Sequence, residues 1–452
     1  MNKITRHVPY WIKLLKLSGP IFLSFLGVQL MELTDLLMIG QLGVIPVAAA
    51  AFVNGLISVF LTVGIGFTAS VSTLVARSSG RNLVSKCNSL IHNGVWLDLG
   101  VGLLCIGILE IFRRNLHWFG QSPEVVSTSG DYFLWIQWSV LPQYLFQVHK
   151  QFTDGKGQTL DGSVAIILSL FVNIFCNWVL IYGKLGFPAY GLVGAGMGTF
   201  LSRLILWLAY FIYLIKCQKF SKYNFGLFPL SIDRQMMRSQ VSIGFPAGLQ
   251  YLFEVGVFSA ATIMAGWISP VALASHQIAL KITTSCYNLP LSFSLAVCVR
   301  IGDAVGKNKF QSAKNISRSA FTLSFCCMSV IALGLWLGKD HIPLWFLDSL
   351  EVLETASPLL VIAALFQLFD GTQAVAIGVL RGLLDTRIPA VLTFISYWMI
   401  SLPVSWLLAF YFDGALAGLW YGLMLGLACS AILLNIRIYR LFRSPESLAL
   451  AT

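Results

Sequence analysis

Long apolar runs separated by short polar loops recur along the whole chain. A predominantly apolar stretch of about 18 residues or more is long enough to cross a bilayer as a helix. We predict twelve such spans, at residues 14–39, 47–75, 90–112, 131–150, 162–183, 191–215, 240–267, 271–299, 315–338, 354–380, 388–412 and 414–436. The pattern therefore predicts an all-α integral membrane protein.

The composition supports this interpretation and excludes other classes. The chain is 57% apolar and 11% charged, whereas about 25% charged residues is typical of soluble domains. A net charge of +11 would favour nucleic-acid binding in a soluble chain. In a membrane protein it is better explained by the enrichment of Lys and Arg in cytoplasmic loops, so we expect no nucleic-acid partner. The nine cysteines show no metal-ligand or redox spacing.

Basic residues collect in one set of alternating loops. The amino-terminal segment with Lys3 and Arg6 belongs to this set, as do the loop after the sixth predicted span and the carboxy-terminal end. The opposite loops contain four basic residues: Arg113, Arg114, Lys184 and Lys339. Because Lys and Arg favour cytoplasmic loops, we predict that both termini lie in the cytoplasm.

The second half of the chain repeats the first in one constant register. Three matches share this register: Pro20 with Pro246, Met38–Gly40 with Met264–Gly266, and Gly80–Asn82 with Gly306–Asn308. The longest basic loop separates the two copies. We therefore predict an amino-terminal half (1–215), a cytoplasmic linker (216–239), and a carboxy-terminal half (240–452) that ends in a short cytoplasmic tail.

Each predicted half contains six spans, and an even number returns the chain to its starting side. Both halves therefore enter the membrane from the same side. We expect two parallel six-helix bundles related by a pseudo-two-fold axis along the membrane normal. Such duplication is typical of carriers that work by alternating access, although pore proteins can be duplicated too.

Charged and amide side chains are rare within the predicted spans. Among them we single out Glu32, Asp35, Asp98, Asn173, Asn177 and Arg203 in the first half, and Glu254, Lys281 and Asp370 in the second. A carboxylate there costs roughly 2.5–3.5 kcal/mol on insertion scales, so it usually faces protein or water. Carboxylate and amide oxygens suit a hard cation such as sodium, or a proton relay. Hydrogen bonding between helices is the alternative, and for the asparagine pair it is equally compatible.

The chain has no motif for catalysis or nucleotide hydrolysis. It contains no glycine-rich phosphate loop with its lysine, no nucleophile with a nearby base, and no zinc-ligand spacing. We therefore expect a secondary transporter rather than an enzyme, with no cofactor.

The ordered motifs resemble the multidrug and toxic compound extrusion family, in its NorM-like bacterial branch. The motifs are LTDLLMIG at 33–40, Asn173 and Asn177 followed by IYG at 181–183, Pro246 with Glu254, HQIAL at 276–280, and the segment from Asp370 to Gly382. The resemblance covers nearly the whole chain. It implies a monomeric antiporter of a bacterial inner membrane that expels lipophilic organic cations in exchange for sodium or protons.

The resemblance also assigns residues to two sites. Four residues match the family's cation site in the amino-terminal half, where the first three would bind sodium: Asp35, Asn173, Asn177 and Thr199. Glu254 and Asp370 match the acidic pair of the carboxy-terminal half.

Two residues depart from the resemblance. Lys281 stands where similar sequences carry an uncharged polar residue. It either faces the acidic pair and weakens cation binding there, or is deprotonated by desolvation, or extends toward the membrane surface. Glu32 is three residues from Asp35 and on the same helical face. Two carboxylates in a low dielectric do not both ionise readily, so we expect one of them to hold a proton.

The residues favour one transport mechanism and leave an alternative. A sodium ion or proton would neutralise Asp35 or the Glu254/Asp370 pair, and the bound organic cation would then be released. The alternative is a flippase for lipid-linked precursors, a function found in the same superfamily. A flippase should line its cavity with several basic residues, and here only Lys281 and Arg203 are available.

Overall fold

The computed structural model describes residues 8–226, 232–346 and 350–443. Lys3, Arg6, residues 227–231 of the predicted linker and the predicted tail beyond residue 443 lie outside this part. Throughout the described ranges the chain is almost entirely helical and contains no β-strand.

Within the described residues there are twelve long helices, and each overlaps one predicted span. The first six are α1 (Val8–Gly40), α2 (Val44–Gly80), α3 (Val84–Arg114), α4 (Pro123–Gly155), α5 (Thr159–Tyr182) and α6 (Gly191–Lys216). The second six are α7 (Arg234–Ile268), α8 (Pro270–Gly306), α9 (Phe310–Gly338), α10 (Leu350–Gly382), α11 (Arg387–Tyr411) and α12 (Ala415–Arg443). Eleven of these described helices are long and apolar enough to cross a membrane, and the more polar α4 is the other. The all-α membrane fold is therefore confirmed.

The chain divides into two compact units. Pro20–Gly248 forms the amino-terminal unit. The chain from Leu249 onward, with α1 up to Gly19, forms the carboxy-terminal unit. Both boundaries fall inside a helix and close to an internal proline, Pro20 in α1 and Pro246 in α7. Proline removes a backbone hydrogen bond and bends a helix. The units thus differ from the predicted halves at two places. The segment of α1 up to Gly19 belongs to the carboxy-terminal unit, and the segment of α7 up to Gly248 belongs to the amino-terminal unit.

The repeat is visible in how helices pack within each unit. In the amino-terminal unit α4 approaches α2 closely, and a Cβ atom on Gly155 would lie 2.6 Å from the carbonyl oxygen of Ser72. In the carboxy-terminal unit α10 approaches α8 in the same way, and a Cβ atom on Gly382 would lie 2.8 Å from the carbonyl oxygen of Cys298. Ser72 and Cys298 are equivalent positions in the register of the repeat. The same backbone contact therefore holds the central helix pair of both units.

Helix α11 is irregular and packs closely on α12. Its segments Ile395–Ser401 and Leu407–Tyr411 are π-helical, a form that is rare and is found mostly at functional sites. Ser401 donates a hydrogen bond of 3.0 Å to the carbonyl of Gly422. A Cβ atom on Gly422 would overlap the backbone of Ser405, so this close approach of two spanning helices depends on glycine.

Candidate functional site

The first candidate cluster joins α1, α5 and α6 in the amino-terminal unit. Nδ2 of Asn177 donates a hydrogen bond of 2.6 Å to a carboxylate oxygen of Asp35 and lies 3.4 Å from Oδ1 of Asn173. Nδ2 of Asn173 lies 3.5 Å from the hydroxyl oxygen of Ser202. Both asparagines are fully buried. The structure therefore brings together three of the predicted residues from helices that are distant in sequence.

A glycine on α6 makes room for this cluster. A Cβ atom on Gly198 would overlap Oδ1 of Asn177. That same oxygen is buried and has no hydrogen-bond partner in the described part of the chain. A buried acceptor without a partner is costly, so a cation seated there would be stabilised by an oxygen that is already desolvated.

Thr199 belongs to the same region of α6 but contacts the asparagines through another residue. The hydroxyl of Ser202 donates a hydrogen bond of 3.0 Å to the carbonyl oxygen of Thr199, and Ser202 is the neighbour of Asn173. Sequence reasoning missed Ser202 and Gly198. The signal for Ser202 was its spacing of three residues from Thr199, which places both on one helical face.

Glu32 and Asp35 differ in their surroundings. Glu32 is exposed, whereas Asp35 is half-buried and bonded to Asn177. The two carboxylates therefore do not share one buried site. Arg203 of α6 donates a hydrogen bond of 2.7 Å from its guanidinium to the hydroxyl of Ser139.

The second candidate cluster surrounds a cavity of about 330 Å³ in the carboxy-terminal unit. Glu254 of α7 and Asp370 of α10 both line it, together with Thr283 and Tyr287 of α8. The two acidic residues are 8% and 5% exposed. The volume lies within the range of small-molecule sites, so two nearly buried carboxylates line a space large enough for a small organic ligand.

A buried arginine is hydrogen-bonded to a tyrosine that lines this cavity. Arg381 donates hydrogen bonds to the hydroxyl of Tyr251 at 2.9 Å and to Oε1 of Gln250 at 3.2 Å, and its guanidinium lies 4.6 Å from the centre of the Tyr251 ring. Tyr251 lines the cavity together with Glu254, so Arg381 is one hydrogen bond away from the cavity wall. Arg381 directly follows the tenth predicted span (354–380), yet it is 4% exposed at the end of α10.

His276, the first residue of the motif at 276–280, contacts a threonine of the cavity wall. Nε1 of Trp420 donates a hydrogen bond of 3.1 Å to Nδ1 of His276, so the neutral imidazole carries its proton on Nε2. That nitrogen lies 3.1 Å from Oγ1 of Thr262, and Thr262 lines the cavity. His276 therefore fixes the orientation of a threonine that faces the acidic pair.

Lys281 lies at the edge of the cavity rather than inside it. Its side chain is exposed, and it makes no ion pair with an acidic residue in the described part of the chain. It lies three residues before Thr284, which lines the cavity and is exposed as well, so both occupy one face of α8. Pairing with Glu254 or Asp370 is thereby excluded in this structure.

The described residues contain no group of three or more His, Cys, Asp or Glu side chains that could hold a metal ion. A cation site in either unit would therefore depend on amide, hydroxyl and carboxylate oxygens. Such oxygens favour hard ions over transition metals.

Duplicated sets of spanning helices with buried polar clusters are the architecture of secondary transporters. Comparison with known proteins identifies the family. The MatE profile matches the chain twice, over residues 20–179 and 246–407. The two matches begin at Pro20 and Pro246, which are equivalent positions in the register of the repeat. The chain belongs to the MatE family, the multidrug and toxic compound extrusion transporters.

Curated relatives and a solved structure agree with this assignment. The chain is 33% identical over 443 residues to the "Probable multidrug resistance protein NorM" of Mesorhizobium japonicum, covering 96% of this chain and 95% of that protein. It is 34% identical over 430 residues to a protein of the same name from Rhizobium meliloti, covering 93% and 92%. A mutant of the Vibrio cholerae MATE transporter VcmN has the same fold, with a TM-score of 0.88 at 18% identity over 97% of this chain and 98% of that one.

Proposed function

We propose that the protein is a secondary active antiporter that exports organic cations and drugs in exchange for sodium ions or protons by alternating access. The observation that carries this proposal is the cavity lined by Glu254 and Asp370. Its charge suits a cation, and its apolar wall suits a lipophilic one. The names of the curated relatives, which are multidrug resistance proteins, support the same function.

The amino-terminal cluster is the proposed coupling site. Asp35 supplies a carboxylate, and Asn173 and Asn177 supply amide oxygens, to which Ser202 and Thr199 add hydroxyl oxygens. The unpartnered Oδ1 of Asn177 supports a site for a sodium ion. A proton on Asp35 would neutralise the same charge without using the amide oxygens.

Charge neutralisation links the ion to the substrate. In the proposed cycle, sodium or a proton arriving from outside neutralises Asp35 or the Glu254/Asp370 pair, and the organic cation is released. Each elementary charge that moves inward across about 100 mV gains roughly 2.3 kcal/mol. The exported cation loses the same amount for each charge that it carries outward, so the membrane potential drives export only when more charge enters than leaves. In a one-for-one exchange of monovalent cations, the concentration gradient of the coupling ion supplies the driving force.

The protein functions as a monomer in the inner membrane of a bacterium, with both termini in the cytoplasm and no cofactor. Its partners are small lipophilic cations and the surrounding bilayer.

A flippase for lipid-linked precursors is the second candidate. Two basic residues near the cavity favour it. Arg381 is buried close to the cavity, and Lys281 is exposed at its edge. The lining itself holds Glu254 and Asp370 and no basic residue, which favours the antiporter.

The test is transport of a cationic dye in proteoliposomes, under an imposed sodium gradient at clamped pH and, separately, under a matched proton gradient. Dye movement driven by sodium supports the antiporter and the asparagine cluster as its ion site. Movement driven only by protons supports the antiporter with titrating carboxylates. No movement under either gradient, with correctly folded protein, contradicts drug export and favours the flippase.

A further inference from the structure

A second groove in the carboxy-terminal unit has no role in the proposed transport cycle. It measures about 600 Å³ and lies between α10 and α12. Phe369 and Thr372 form its wall on α10. It shares no lining residue with the cavity of Glu254 and Asp370, so it is a separate site.

The α12 wall of this groove changes from apolar to basic along its length. Ile432, Ile436 and Arg440 follow one another at intervals of four residues and therefore occupy one helical face. Asn435 lies beside the isoleucines, and Arg443 adds a second guanidinium at the same end as Arg440. The groove thus combines an apolar trough with a cationic mouth.

The length of this wall matches one leaflet of a membrane. From Ile432 to Arg443 the helix rises about 16 Å, at roughly 1.5 Å per residue. The hydrocarbon core of a bilayer is about 30 Å thick, so half of it is about 15 Å. If the isoleucines lie among acyl chains, this length would place the two guanidiniums at the level of the lipid head groups.

Both guanidiniums are available to a ligand. Arg440 and Arg443 are exposed and form no ion pair with any acidic residue of the described chain. Arg437, one turn earlier, is instead paired with Asp385 at 2.7 Å. Guanidinium groups bind phosphate oxygens through paired, charge-assisted hydrogen bonds, and basic pockets between helices at the cytoplasmic side bind anionic head groups.

We propose that this groove binds one anionic phospholipid of the cytoplasmic leaflet. Arg440 and Arg443 hold the phosphate of the head group. One acyl chain lies along Ile432, Ile436 and Phe369. The site is independent of the proposed antiport, because it uses none of the residues assigned to the ion or to the drug.

The test is native mass spectrometry of the full purified chain. It is titrated with phosphatidylglycerol and, separately, with phosphatidylcholine of the same acyl chains. We expect one phosphatidylglycerol to bind in preference to phosphatidylcholine. Arg440→Gln with Arg443→Gln should weaken its binding roughly 10- to 30-fold, since each basic residue near an anionic head group contributes about 1 kcal/mol, and should leave phosphatidylcholine unchanged.

Two further variants separate the groove from general surface charge. Lys13→Gln with Lys16→Gln removes two exposed cations, also three residues apart, at the start of α1, and should keep the preference. Ile436→Trp fills the apolar trough without changing charge and should reduce binding of phosphatidylglycerol at least tenfold.

Three outcomes contradict the proposal. The arginine variant retains its preference, or the lysine variant loses it to the same extent, or inorganic phosphate at the lipid's concentration displaces the bound lipid. If the arginine variant does not fold, the tryptophan variant decides alone, and unchanged binding there overturns the lipid site.

Discussion

The two polar clusters are built on one repeated scaffold yet have different chemistry. In the amino-terminal unit, Asp35 is bonded to the buried amide of Asn177, and a Cβ atom on Gly198 would overlap the oxygen of that amide. In the carboxy-terminal unit, Glu254 and Asp370 line a cavity of about 330 Å³. The first suits a small ion and the second suits an organic molecule.

The register of the repeat shows that the acidic residues are not duplicated. The register that aligns Pro20 with Pro246 places Asp35 opposite Ala261 and Glu254 opposite Val28. Neither carboxylate has an acidic counterpart in the other unit.

Asp370 of α10 also has no acidic counterpart in the amino-terminal unit. The register that aligns Pro20 with Pro246 places Asp370 opposite Tyr144 of α4. Tyr144 donates a hydrogen bond to the carbonyl of Phe60, and its ring approaches the backbone of α2 so closely that a Cβ atom on Gly64 would overlap it. A tyrosine thus fills the space where the other unit has an acidic residue and a cavity.

Duplication thus preserved the backbone contacts between helices while the side chains of the two sites diverged. The close approach at Gly155 and at Gly382 is the same in both units. The side chains that face the interior differ between the two units.

The largest expected effect comes from removing the acidic group of the amino-terminal cluster. Asp35→Asn should abolish ion-driven transport, with a loss of roughly 100-fold or more, because the charge that the coupling ion neutralises is gone. Dye efflux from proteoliposomes measures it. Glu32→Gln is the matched control and should keep most of the activity, since Glu32 is exposed. Equal losses in both variants would place the two carboxylates in one shared site.

The second-largest effect is expected when the two carboxylates of the carboxy-terminal cavity are removed. Glu254→Gln with Asp370→Asn should weaken binding of a cationic dye roughly tenfold for each lost charge, since about 1.4 kcal/mol corresponds to a factor of ten. Equilibrium fluorescence titration measures it. Sodium binding in the amino-terminal cluster should persist in this variant, and its disappearance would contradict two separate sites.

A smaller effect is expected from a single methyl group. Gly198→Ala places a Cβ atom against Oδ1 of Asn177, and such overpacking typically costs about 1–3 kcal/mol. The thermal unfolding midpoint should fall, and sodium should stabilise the variant less than the parent. Gly107→Ala serves as the control, because no atom lies within 4 Å of a Cβ atom there. A normal response to sodium in the Gly198 variant would exclude this oxygen from the ion site.

The smallest effect concerns the lysine at the edge of the cavity. Lys281→Gln should strengthen binding of monovalent organic cations about two- to fivefold, because one repulsive charge is removed at a solvated distance. Lys281→Arg keeps the charge and should bind as the parent does. Titration with a cationic dye at low salt compares the three proteins. Weaker binding after removal of the charge would show that Lys281 favours the ligand.

Much of the architecture was predictable because it depends on short-range patterns. Apolar run length predicted the twelve helices, and the matches from Pro20 to Asn82 predicted the repeat. Spacing of four residues correctly placed Asn173 and Asn177 on one face, since helical periodicity is a local property. The position of Lys281 was left among three alternatives, and its exposure excludes only burial against the acidic pair.

The amino-acid pattern was sufficient to show which polar residues lie inside the spanning helices, because burying charge there is costly and such positions are therefore few. Which of these residues contact one another depends on the packing of the helices. The bond between Asp35 and Asn177 joins residues that are 142 positions apart. The predicted spans leave Arg381 just outside the tenth span, whereas in the structure it is buried and bonded to Tyr251 and Gln250 from another helix. Glu32 and Asp35 share a helical face, yet packing against α5 gives only one of them a buried partner. Such contacts depend on how helices pack, and no local pattern in the chain contains that information.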